Sequence, residues 1–224
     1  MSRSVVAGLA ALGLSLALAG PASADIMFTL DQASTLGSGN YGTVTVHQVG
    51  TDQVEVTVNL ASNVGFVSTG LDTFAFNLDS SIPTLTASNF SNISPSGFTF
   101  VTASNSDGAG TMQYALSCGS ACGSGGNTPN PGPLVFDLTA TGLLETSFIG
   151  NAKTGAFFAV DICTDTSGTG CSAGQTGVTY TTTGTTTGGG GATSGGTVPE
   201  PATVALLGLG LAILSFGRRF GKRL

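Results

Sequence analysis

Hydrophobic and polar positions alternate along much of the middle of the chain. Val54, Val56, Val58 and Leu60 are interleaved with Glu55, Thr57 and Asn59, and a Thr-Val-Thr-Val run at 43–46 precedes them across a turn at Gly50, Thr51 and Asp52. A period of two turns one face to a core and the other to water, so residues 41–60 predict an antiparallel β-hairpin. The same period returns at Phe74, Phe76 and Leu78, at Phe98 and Phe100, at Met112, Tyr114 and Leu116, and at Leu134, Phe136 and Leu138. Residues 155–162, with Phe157, Phe158, Val160 and Ile162, read as another strand, and a weak final strand is expected around Val178, Thr179 and Tyr180. Turns rich in Gly, Pro, Asn and Ser separate these runs, and no convincing helical period of about ten residues interrupts them. The expectation is an all-β fold: an antiparallel β-sandwich of jelly-roll or immunoglobulin-like kind, with about six to nine short strands.

Both ends of the chain break the alternation. Residues 5–19 form a nearly unbroken apolar run behind Arg3, followed by Gly20 and Pro21 and then Ala22, Ser23 and Ala24. Small residues at −3 and −1 suit the signal peptidase pocket, so residues 1–24 predict a secretory signal peptide cleaved between Ala24 and Asp25. At the other end, Pro199, Glu200 and Pro201 precede an apolar stretch at 202–217 and the basic residues Arg218, Arg219, Lys222 and Arg223. Sixteen residues at a rise of ~1.5 Å make a helix of about 24 Å, enough to span a thinned bilayer with snorkelling arginines. By the positive-inside rule the basic end stays in the cytoplasm, which places the intervening chain outside the inner membrane.

Pro199, Glu200 and Pro201, the short apolar helix that follows and the Arg-rich end resemble the PEP-CTERM sorting signal. The resemblance covers 198–224. It implies export across the inner membrane of a Gram-negative-type bacterium and recognition by an exosortase, a membrane-embedded cysteine transpeptidase of bacteria that make exopolysaccharide. Exosortase and the inner membrane are thus the partners expected of the precursor, with exopolysaccharide as a further partner at the cell surface or in the matrix.

Charge narrows the function further. Residues 25–197 hold one basic side chain, Lys153, against eleven carboxylates, a formal charge of −10 compared with −6 for the whole chain. Nucleic acid is therefore not expected as a partner, since a phosphate backbone is held by clustered Lys and Arg. Four cysteines remain: Cys118 and Cys122, and Cys163 and Cys171. In an oxidising compartment an even count predicts disulfides, and of three connectivities the sequence-local one, Cys118 to Cys122 with Cys163 to Cys171, is preferred over crossed pairs or a four-cysteine zinc site. Residues 181–197 contain only Thr, Gly, Ser and Ala, with eight Thr and seven Gly. They predict a flexible linker with a reach of about 23 Å between a sandwich at 25–180 and the sorting tail.

Candidate chemistry is sparse. The single histidine, His47, lies in the hairpin, no Gly-x-Ser-x-Gly elbow accompanies it, and one histidine cannot supply His-rich metal ligation. Two acid pairs, Asp72 with Asp79 and Asp161 with Asp165, are candidates for glycoside chemistry, which needs carboxylates ~5–10 Å apart. Asp161 and Asp165 are also candidates for a calcium site, although the Asp-x-Asp-x-Asp-Gly loop is missing. No cofactor and no metal are expected. The sequence thus predicts a non-enzymatic exported surface or matrix protein. A carbohydrate-binding module is the alternative, with Tyr41, Tyr114 and Tyr180 replacing the absent tryptophan, and a secreted hydrolase stands behind it.

Overall fold

A computed structural model describes residues 24–69, 72–102, 105–122, 128–166, 170–171 and 175–187. The expected signal peptide up to residue 23 and the expected transmembrane helix at 202–217 lie outside them. Strands, numbered in chain order, are β1 (Asp25–Leu30), β2 (Gln32–Ala33), β3 (Gly42–Gly50), β4 (Gln53–Leu60), β5 (Gly65–Phe66) and β6 (Phe74–Phe76). They continue with β7 (Phe90–Ser94), β8 (Thr99–Thr102), β9 (Asn105–Ser106), β10 (Gly110–Thr111), β11 (Tyr114–Ser117), β12 (Leu134–Thr139), β13 (Phe158–Cys163), β14 (Thr176–Thr181) and β15 (Gly184–Thr187). Several of these are two-residue ladders too short to show a period, which is why the sequence predicts fewer.

Two sheets form an antiparallel sandwich. The first runs β15-β1-β3-β4-β12-β7 and the second β2-β14-β13-β6-β11-β8, with β5 joining β13 beside β6. The hairpin of β3 and β4 is the centre of the first sheet, and its register sets Val44 opposite Val58 and Val46 opposite Val56. These four valines are fully buried, with Leu30, Val54, Leu134, Phe136 and Leu138 from the same face. Phe74, Phe76, Phe158, Val160 and Ile162 of the second sheet face them across the core. Rings carry much of this interface: Phe74 lies edge-on to Phe136 with centroids 5.8 Å apart, and Phe28 is edge-on to Phe158 at 4.8 Å. Such pairs add about 0.5–1.5 kcal/mol each beyond the area they bury.

The second sheet is covered on both faces. Register aligns Val101, Ala115, Ala75, Ala159 and Tyr180 in one row across five strands, on the side away from the main core. The three alanines are at most 2% exposed, and they pack with Ala109, Met112 and Ala156 in a separate apolar cluster. The β9–β10 ladder and the loop at 151–156 supply the cover, tied by a hydrogen bond from the Thr154 hydroxyl to the Ala109 carbonyl at 2.6 Å. Only small side chains leave room for backbone to approach the sheet so closely.

The first residues of the stretch expected to be linker, from 181 to 187, belong to the fold. Thr181 closes β14, and Gly184–Thr187 forms β15 on the outer edge of β1. A Cβ on Gly184 would stand 2.5 Å from Cε1 of Phe28, so glycine lets the strand lie directly over that ring. Phe28 is consequently 3% exposed although it is on the outermost long strand of the core.

Candidate functional site

The junction between the expected signal peptide and the exported chain is part of the fold. Ala24 precedes the first strand and Asp25 opens it, in register with Thr187 on one side. On the other side Asp25 meets His47 of β3: the His47 Nδ1 and the Asp25 Oδ1 are 2.5 Å apart. The same transverse row continues through Glu55 of β4, opposite His47, and Asp137 of β12, opposite Glu55. Asn92 and Gln53 donate amide hydrogens to the Asp137 carboxylate at 2.6 and 3.3 Å. Alternation and register place these polar groups together: His47, Glu55 and Asp137 each follow a buried residue by one position, and Asp25 opens β1 beside His47. His47 and Asp25 keep 46% and 40% of their side-chain surface exposed, on an open sheet face rather than in a cleft.

The acid pairs suggested by the sequence have different roles. Asp72 and Asp79 flank the segment carrying β6, seven positions apart, a span of up to about 23 Å at ~3.3 Å per residue against the ~5–10 Å of glycosidase carboxylates. Asp79 organises a turn instead: its Oδ1 accepts the Ser81 backbone N–H at 2.8 Å, and hydrogen bonds from the Ser81 backbone and side chain lower its pKa below the usual carboxylate value. Asp161 is 4% exposed, and its Oδ2 accepts both the backbone N–H and the hydroxyl of Thr69, at 2.8 and 2.7 Å. Beside it lies a cavity of about 130 Å³ lined by Ser34, Thr35, Thr69, Asp107, Asp161 and Thr176. Ligand pockets usually occupy roughly 300–1,000 Å³, so this one is small for a sugar-binding site. Among the described residues no group of three or more His, Cys, Asp or Glu side chains is placed to hold a metal ion.

Two disulfides close at the other side of the sandwich from the hairpin turn. Cys118 bonds to Cys122 with Cα atoms 5.6 Å apart, and Cys163 to Cys171 with Cα atoms 5.8 Å apart, which is the sequence-local connectivity. Cys118 begins a tight 3₁₀ turn that follows β11, and its backbone N–H donates to the Thr73 hydroxyl at 2.9 Å. Cys163 ends β13 with no exposed surface. No helix of the described residues is long and apolar enough to cross a membrane.

Pro199, Glu200, Pro201, Arg218, Arg219, Lys222 and Arg223 lie outside the described residues, and comparison with known families bears on them instead. No curated protein and no solved structure matches the chain. A family profile for the PEP-CTERM protein-sorting motif matches residues 197–223 and spans all seven of these positions. The chain therefore carries a PEP-CTERM protein-sorting motif, the mark of an exosortase substrate.

Proposed function

We propose that this protein is a non-enzymatic component of the bacterial cell surface or extracellular matrix, associated with exopolysaccharide. It is exported with loss of residues 1–24, held in the inner membrane by an apolar helix at 202–217, and processed by an exosortase at its sorting tail. The observation that carries the reading is the sorting motif at 197–223 behind a sandwich built for an oxidising compartment, with both cysteine pairs bridged. A passive role fits where the candidate residues sit: His47 is on an exposed strand position, Asp79 shapes a turn and Asp161 is engaged by Thr69.

Replacing Pro199, Glu200 and Pro201 by alanine tests the sorting reading. Proline fixes φ and keeps the segment out of the helix that follows, so an extended peptide is offered to a transpeptidase. The variant is expected to be exported and inserted, yet to stay cell-bound at the longer mass. Release and trimming at the wild-type level would refute the reading.

A further inference from the structure

We propose that the end of the sandwich carrying Asp25 and Thr187 rests on the membrane, with Val49 and Leu144 inserted at the lipid surface. The inference rests on the reading that the sorting tail enters the bilayer. Because β1 and β15 are antiparallel and Asp25 is opposite Thr187, the chain before Asp25 and the chain after Thr187 leave the fold at one end. Eleven residues, 188–198, separate Thr187 from Pro199, so even fully extended they span at most about 38 Å. That end of the sandwich is thus the one from which the chain runs on to the tail.

The same end carries apolar side chains in the open. It is built from the β3–β4 turn and the loop at 140–145, which are bound into one surface. The Ala140 N–H donates to the Asp52 carbonyl at 3.0 Å and the Gly142 N–H to the Asp52 carboxylate at 2.8 Å. Gln48 donates to the Leu143 carbonyl at 3.3 Å and accepts the Glu145 N–H at 3.0 Å. Among the described residues the exposed large hydrophobics are Val49, Leu144 and Ile149, and the first two, 44% and 51% exposed, are on this surface. Single exposed apolar residues are ordinary, but two on one hydrogen-bonded tip, at the end from which both membrane-directed segments depart, are not random scatter.

Charge identifies the lipid. Asp25, Asp52, Glu55, Asp137 and Glu145 are the ionisable groups of this end apart from His47, and Lys153 is the one Lys or Arg of residues 25–187. Anionic headgroups would be repelled, so the partner is a zwitterionic bilayer surface entered by apolar side chains. Two small side chains bind weakly on their own, and the tether makes the contact intramolecular, where a weak affinity suffices.

The protein has no tryptophan, so single-tryptophan reporters read without background. Val49→Trp, Leu144→Trp and, at the far end of β4, Ser62→Trp would be made in the full chain and reconstituted into phosphatidylcholine vesicles with brominated acyl chains. Flotation reports tail insertion separately. The expected result is co-flotation of all three, with blue-shifted and bromine-quenched emission at positions 49 and 144 and neither effect at 62. Co-flotation without quenching at 49 and 144, or with equal quenching at 62, overturns the docking and leaves the sorting tail intact. A shift that follows protein density without bromine quenching marks contact between two copies and overturns it as well. Failure to float overturns both readings.

Discussion

Gly184 lies across the ring of Phe28, so close that a side chain at 184 would meet Cε1 at 2.5 Å. The contact explains how a strand of one glycine and three threonines seals the core edge at β1. Gly184→Val is therefore expected to force β15 off its register and expose Phe28, lowering stability by about 1–3 kcal/mol, as overpacking usually does. Thr186→Val, on an exposed position of the same strand, should change stability by less than about 0.5 kcal/mol. Urea unfolding of the two variants decides the point, and equal midpoints would contradict it.

The alanine row of the second sheet leads to a similar expectation at a place where substitution looks harmless. Ala75 is opposite both Ala115 and Ala159 and is 1% exposed beneath the β9–β10 cover. Ala75→Leu should lift that cover or strain the sheet and cost about 1–3 kcal/mol. A thermal melt unchanged from wild type would show that the outer face of this sheet is not packed.

The disulfides close short loops, with sequence separations of 4 and 8. The chain-entropy relation then assigns them about 2 and about 2.5 kcal/mol at 25 °C, the low end of the range for native bridges. Non-reducing peptide mapping should link Cys118 to Cys122 and Cys163 to Cys171. Replacing one pair by serine should lower stability by those amounts plus the cost of burying hydroxyls where the sulfurs were.

Asp79 provides a pH signature. Its folded pKa is depressed by hydrogen bonds from Ser81, so its contribution is present above the unfolded value of 3.8 and is lost as pH falls through the lower folded value. The stability difference between wild type and Asp79→Ala should be constant near neutrality and shrink as pH falls below about 3.8. A difference that grows on acidification would reverse the sign and refute the assignment.

Much of this fold is legible from alternation alone. Val44, Val46, Val54, Val56 and Val58 are buried as their period requires, because a half-exposed antiparallel sheet obliges each strand to divide its side chains between core and water. Ala75 defeats that reading: a strand covered on both faces has no alternation to display, and a small residue between two phenylalanines looks solvent-facing. β15 defeats it differently. Gly184–Thr187 has no apolar residue, and it is a strand because the edge of β1 offers unpaired N–H and C=O groups and Phe28 needs cover. The row of Asp25, His47, Glu55 and Asp137 needs the register of four strands, which no local pattern encodes. The sorting motif is the reverse case, legible from order and composition without any fold.

Processing through the tail is read out by the intact mass of wild-type protein recovered from the extracellular matrix of cells that contain an exosortase. The expected species begins at Asp25 and lacks Arg218, Arg219, Lys222 and Arg223, with both disulfides closed. A matrix or surface species that retains those four basic residues would contradict it and leave the segment at 202–217 as a permanent membrane anchor.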